Sequence, residues 1–103
     1  MYKISFYVPD SHLETVKESL FEAGAGKIGN YERCAWQVKG EGQFFANGDS
    51  APTFGGKHQL TRLIEYKVEM VCEDKYIAQV VTTLKLVHPY EMPAYSVVKL
   101  EQL

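Results

Sequence analysis

Apolar and polar positions alternate from the start of the chain, where Tyr2, Ile4, Phe6 and Val8 are spaced by Lys3, Ser5 and Tyr7. A period of two with one apolar face predicts a half-buried strand, and Pro9 ends it. Ser11 and Glu14 have the spacing of a capping box. Leu13, Val16, Leu20 and Phe21 then fall on one helical stripe. Gly24 stops this helix, as glycine does just past a helix end. A second alternating run places Cys34, Trp36 and Val38 on one face, with Arg33, Ala35, Gln37 and Lys39 on the other. The expectation is that the Trp36 face turns inward.

The pattern breaks at residues 40–58, which carry glycines, Asn47, Asp49, Ser50 and Pro52 around a Phe44-Phe45 island. This span is predicted as a long loop, with at most a short strand pair at its base, and loops of this length are usually functional. A third strand follows at about residues 63–73. It has Ile64, Tyr66, Val68, Met70 and Cys72 on one face, and Glu65, Lys67 and Glu69 on the other. Asp74 is placed to cap a second helix, in which Ile77, Val80, Val81, Leu84 and Val87 keep helical spacing. Pro89 closes that helix, since the residue before proline avoids the helical region. A last strand takes residues 95–100.

Two strand–helix–strand units with right-handed crossovers fold into a four-stranded sheet with both helices on one face. The fold class is therefore α+β, a ferredoxin-like β-α-β-β-α-β two-layer sandwich formed by residues 1–103 as a single domain. The helix-free face would carry Lys3, Ser5, Tyr7, Arg33, Gln37, Lys39, Glu65, Lys67 and Glu69, a polar surface of both signs that a second copy could cover.

Composition narrows the function. The net charge of −2 argues against a phosphate-backbone partner, which needs a basic surface, so no nucleic acid is expected. No window approaches 18 consecutive apolar residues, so no membrane span is expected. The first residues lack a basic segment and an apolar stretch, which speaks against a signal peptide. Cys34 and Cys72 form no metal or redox spacing and suit a reducing, cytoplasmic setting.

The letters of G-x-G-x-x-G occur at Gly24, Gly26 and Gly29, but they follow a helix and open a strand, the reverse of a dinucleotide fingerprint. Gly55-Gly56-Lys57 is followed by His58 and a strand, not by Ser or Thr and a helix, so it is no P-loop. Lys57 remains a charge on the loop. No serine sits in a nucleophile elbow and no carboxylate pair has an argued acid–base role, so no catalytic residue is assigned and no enzyme is expected. The most distinctive stretch is His88-Pro89-Tyr90-Glu91-Met92-Pro93, in which two prolines bracket an imidazole, a phenol and a carboxylate. Helix punctuation alone would also account for it.

His88-Pro89-Tyr90-Glu91-x-Pro93 resembles the H-P-Y-E-x-P stretch of the CutA family. Gly24-Ala25-Gly26-x-Ile28-Gly29-x-Tyr31-x-x-Cys34, then Gly40-x-Gly42-x-Phe44, Ala51-Pro52 and Gly55, resemble the domain inserted in YqfO proteins, the Nif-three family. The resemblance covers nearly the whole chain. It implies a CutA/PII-like fold that forms homo-oligomers, a trimer above all. It also implies that the dinuclear metal site of YqfO proteins lies in two flanking halves that these residues do not include.

The expected function is an oligomeric module that binds a small ligand or partner and regulates without catalysis. A separate YqfO-type hydrolase-like chain is a candidate partner. The alternative is a divalent-metal-responsive protein of CutA type, with copper or zinc held by His88, Glu91 or His58 together with a Cys thiolate. Ligand-binding candidates are Gly26, Gly29, Tyr31, Lys57, His88, Tyr90 and Glu91. Tyr31 is expected beside His88, Tyr90 and Glu91 in a polar pocket or at a subunit boundary. His88 ends a helix, where an imidazolium is favoured, so an anionic or planar ligand is expected.

Overall fold

The computed structural model describes residues 1–103. The first alternating run forms β1 (Tyr2–Pro9), and the first helical stripe forms α1 (Leu13–Glu22). β2 (Trp36–Phe45), β3 (Leu60–Cys72), α2 (Ile77–Val87) and β4 (Tyr95–Lys99) complete the chain. The sheet order is β2-β3-β1-β4 and every neighbouring pair is antiparallel. This is the α+β, ferredoxin-like arrangement that the element order predicts. No helix is long and apolar enough to cross a membrane.

The core lies between the two central strands and the helices. Ile4, Phe6 and Val8 of β1, with Val68, Met70 and Cys72 of β3, face Val16 and Leu20 of α1 and Val80 and Leu84 of α2. Burying each such side chain stabilises the fold by about 1.5–3 kcal/mol. Both helix starts differ from the sequence expectation. Each is preceded by a single 3₁₀ turn, Asp10–His12 and Asp74–Tyr76, and neither has a side-chain cap. Ser11 Oγ instead hydrogen-bonds with His12 Nδ1 at 2.8 Å, and Asp74 pairs with the N-terminal ammonium and Lys99. The 3₁₀ turn tightens the helix entry and takes the place of the cap. The α1 C-terminus is as expected. Gly24 has φ +118°, and a methyl there would meet the Tyr76 ring at 2.6 Å.

Two larger differences concern β2. First, the predicted loop at residues 40–58 is mostly strand at its N-terminal end. β2 runs unbroken through Gly40 and Gly42 to Phe45, paired opposite Leu60 of β3. The glycines erase the side-chain alternation but leave the ladder intact. β1 pairs β3 only as far as Glu65, so residues 41–45 and 60–64 run on as a two-stranded arm. The molecule is accordingly long, 46 Å against 24 Å in each other direction.

Second, β2 faces the opposite way. Trp36 opposes Glu69 and Val38 opposes Lys67, so both lie on the helix-free face, while Gln37 and Lys39 lie on the helix side opposite Val68 and Tyr66. The Gln37 carboxamide accepts a hydrogen bond from Lys17 Nζ of α1 at 2.8 Å. Arg33 also leaves the open face. It precedes the strand with φ +59° and pairs with Glu18 of α1. The reason is position in the sheet. β2 is an edge strand with no buried residue, so apolar content does not decide its inward face.

Candidate functional site

At the root of the arm the chain encloses a half-open cavity of about 590 Å³. Four stretches line it: Tyr7 of β1, residues 41–47 at the end of β2, residues of the connection that follows, and Tyr90 to Ala94 before β4, with Glu65 of β3 at its base. Residues 46–59 fold back over the turn after α2. Thr53 Oγ1 donates to the Pro89 carbonyl, the Ala51 amide donates to Glu91 Oε2 at 3.0 Å, and Phe54 meets the Tyr90 ring edge-on at 5.8 Å. Ala46 and Lys57 close the base of this connection as a parallel bridge.

Tyr90 is the centre of the site. Its hydroxyl donates to Glu65 Oε2 at 2.5 Å, and its ring packs against Phe44, Phe54 and His88. Burial first, and then the Glu65 carboxylate, push its phenol well above the ordinary tyrosine range. It stays protonated and donates.

His88 is buried below this ring and serves the backbone. Its Nδ1 accepts the Tyr90 amide hydrogen at 3.1 Å, which leaves Nε2 to carry the ring proton and donate to the Tyr7 carbonyl at 2.6 Å. Burial holds its pKa below the usual histidine value, against smaller upward pulls from the Tyr7 carbonyl and Glu65. The imidazolium expected at the helix end is therefore disfavoured by burial, which outweighs the pulls of the Tyr7 carbonyl and Glu65. Metal binding at His88 and Glu91 has no geometric support. Both ring nitrogens are engaged, Glu91 turns to the Ala51 amide, and no three His, Cys, Asp or Glu side chains cluster anywhere in the chain.

Of the residues singled out from sequence, Tyr90 and Glu91 line the cavity and His88 supports it from beneath. Lys57 sits at the base of the connection with an exposed side chain and does not line the cavity. Gly26, Gly29 and Tyr31 are elsewhere. Gly26 N–H donates to the Val71 carbonyl at 2.8 Å, beside the Tyr2 end of β1, whereas the cavity adjoins the Pro9 end. Tyr31 and Ile28 exchange two backbone hydrogen bonds of 2.9 Å around Gly29 and Asn30, and Tyr31 is 75% exposed. Tyr31 thus lies, with Ile28, toward the Lys3 end of β1, and Tyr90 toward the Tyr7 end. Glu65, Phe54 and Tyr7 are the site residues that sequence reasoning missed. Only the Phe44-Phe45 island signalled the aromatic wall.

No family model matches the chain. Curated relatives do. A GTP cyclohydrolase 1 type 2 homolog of Listeria innocua is 42% identical over 101 residues, which is 96% of this chain and 27% of that protein. The protein of the same name from Mycobacterium tuberculosis is 41% identical over 91 residues, 88% of this chain and 24% of that protein. The chain thus spans about a quarter of the length of the curated relatives it matches. Among solved structures, a Bacillus cereus protein related to NIF3 superposes with a TM-score of 0.82 at 33% identity, over 98% of this chain and 26% of that one. CutA1 of Pyrococcus horikoshii superposes with a TM-score of 0.71 at 15% identity, over 100% of this chain and 86% of that one. The second likeness shows a shared fold alone.

Proposed function

Since this chain is homologous to one segment of the NIF3-family proteins named GTP cyclohydrolase 1 type 2 homolog, we propose that it is the ligand-binding, regulatory module of such a system and is not itself catalytic. The observation that carries the reading is the cavity at the root of the arm. Its volume, about 590 Å³, is that of a small-molecule site, and its wall is apolar with a few fixed polar groups. The cyclohydrolase name belongs to proteins about four times as long. No histidine or cysteine lines this cavity. Its one hydroxyl–carboxylate pair holds the phenol protonated, the opposite of an activated nucleophile. The remaining part of a NIF3-type protein, in the same chain or another, is the partner this module would regulate.

The reading includes a homo-oligomer, a trimer, assembled through the open sheet face. That face exposes Trp36, Val38, Tyr7 and Val98 among Lys3, Lys67 and Glu69. A mixed apolar and two-signed surface suits a self-complementary contact. The unpaired Cys34 and Cys72 suit a reducing cytoplasm.

A thermal-shift screen of a general fragment set against wild type and Phe54→Ala tests the site. Ligands that raise the wild-type Tm and lose that effect in the variant support it. A screen with no stabilising compound, or with equal shifts in both proteins, rejects it.

A further inference from the structure

The charges around the cavity select its ligand. Glu41, Glu65 and Glu91 line it, and no lysine, arginine or histidine does. None of the three carboxylates is in an ion pair, although Glu14, Glu18, Glu69, Glu73 and Asp74 all are. Glu65 and Glu91 are nonetheless held in place. One oxygen of Glu65 takes the Tyr90 hydroxyl and one of Glu91 takes the Ala51 amide, which leaves the second oxygen of each without a protein donor. The rings of Phe44, Phe54 and Tyr90 line the same cavity. Fixed carboxylates without counter-ions beside aromatic faces attract a cation twice over, by charge and by the ring quadrupole. The same groups repel phosphate and carboxylate ligands.

We propose that this cavity binds a small organic cation, with an ammonium or guanidinium head seated at Glu65 and Glu91 and a flat apolar body against the three rings. The proposal rests on the binding-module reading and specifies its ligand class. Because one oxygen of each carboxylate is already fixed by a protein donor, little ordering is left for the ligand to impose.

Three probes of one shape separate the charge from the cavity: tryptamine (cation), tryptophol (neutral) and indole-3-acetate (anion). In calorimetric titrations at low ionic strength, tryptamine is expected to bind about tenfold or more tighter than tryptophol, the value of one charge-assisted hydrogen bond. Indole-3-acetate is expected to bind most weakly. Glu65→Gln and Glu91→Gln, each checked for retained fold by circular dichroism, should narrow the gap between tryptamine and tryptophol. Phe54→Ala should weaken both. Equal binding of tryptamine and tryptophol overturns the cation assignment and leaves the cavity as a ligand site. Binding of none of the three also overturns it. The binding-module reading then falls as well only if the general fragment screen finds no Phe54-dependent ligand.

Discussion

The carboxylate of Glu65 lies across the backbone of Gly42, so that a methyl at Gly42 would stand 1.9 Å from Glu65 Oε1 and 2.5 Å from its Cδ. Gly42 is opposite Leu63 and one step along the same face from Gly40, the partner of Glu65. The missing side chain is what lets Glu65 reach Tyr90. Gly42→Ala is therefore expected to preserve the fold while swinging Glu65 off Tyr90. The lost hydrogen bond to a charged group costs about 1.5–3 kcal/mol, partly offset by about 0.4–1 kcal/mol from a less flexible unfolded chain. Urea unfolding should show a net loss of about 1–2 kcal/mol. In the Glu65→Ala background the same change should cost nothing, or stabilise. Equal costs in both backgrounds would show that the two residues are not coupled.

Stability should also report the buried imidazole. In the unfolded chain a histidine takes up its proton near pH 6.5, whereas burial lowers that value for His88 in the folded chain. Below pH 6.5 the unfolded chain therefore binds more protons. The contribution of His88 is fully present above pH 6.5 and is lost as pH falls toward its lowered value. His88→Gln removes this titration and leaves Tyr7 or Tyr90 imperfectly paired. It is expected to cost about 1–2 kcal/mol at pH 7.5, and the gap to wild type should shrink by pH 5. Urea midpoints at several pH values decide it, and a constant gap would mean that His88 does not titrate with unfolding.

These two residue sets show how far the sequence reached. Element order, the core stripes and the proline-bracketed turn after α2 were legible because each is a local pattern. Helix and strand periods placed Val16, Leu20, Val80 and Leu84 opposite Ile4 and Val68 as found. The inward face of β2 was not legible, because alternation defines two faces and only burial chooses between them. Nor was Glu65 legible as a site residue. Its alternation placed it on the open face, and its meeting with a tyrosine 25 residues away depends on Gly42, whose own role had been masked as a loop signal. His88 was singled out with an imidazolium favoured at the helix end, but that argument assumes exposure, and only the packing reveals the burial that lowers its pKa and the Tyr7 carbonyl it meets.

The open face carries an assembly prediction. Trp36 is 59% exposed on an edge strand, beside Val38 and opposite Glu69. If sheets meet there, light scattering at micromolar concentration should give three times the 11.7 kDa chain mass. Trp36→Glu would bury an unpaired charge beside Glu69 in each contact and should return the 11.7 kDa species without loss of helix or strand signal. A wild-type protein that stays monomeric at all concentrations removes the trimer, and a Trp36→Glu protein of unchanged mass moves the contact elsewhere.

The connection over the cavity allows a sharper test than loop mobility in general. Residues 46–59 contain two backbone–backbone hydrogen bonds among the turns and loops, Ser50 to Asn47 at 3.1 Å and His58 to Ala46 at 2.7 Å. Most amides in this span should exchange within the dead time of a hydrogen-exchange experiment. Ala51 is different, because its amide is held by Glu91, and Phe54 pins the segment between Tyr90 at 5.8 Å and His12 at 6.4 Å. In wild type, Ala51 and His58 should be the slowest amides of the span. Phe54→Ala removes the aromatic pin at a cost of about 1–2 kcal/mol, since the ring is only partly buried. It should release Ala51 while leaving the amides of β1 and β3 unchanged, because those strands do not depend on the connection. Glu91→Ala should release Ala51 alone and spare His58, whose partner is the Ala46 carbonyl. Uniformly fast exchange across the wild-type span, Ala51 included, would show that the connection does not rest on the turn after α2. The cavity would then lack its outer wall.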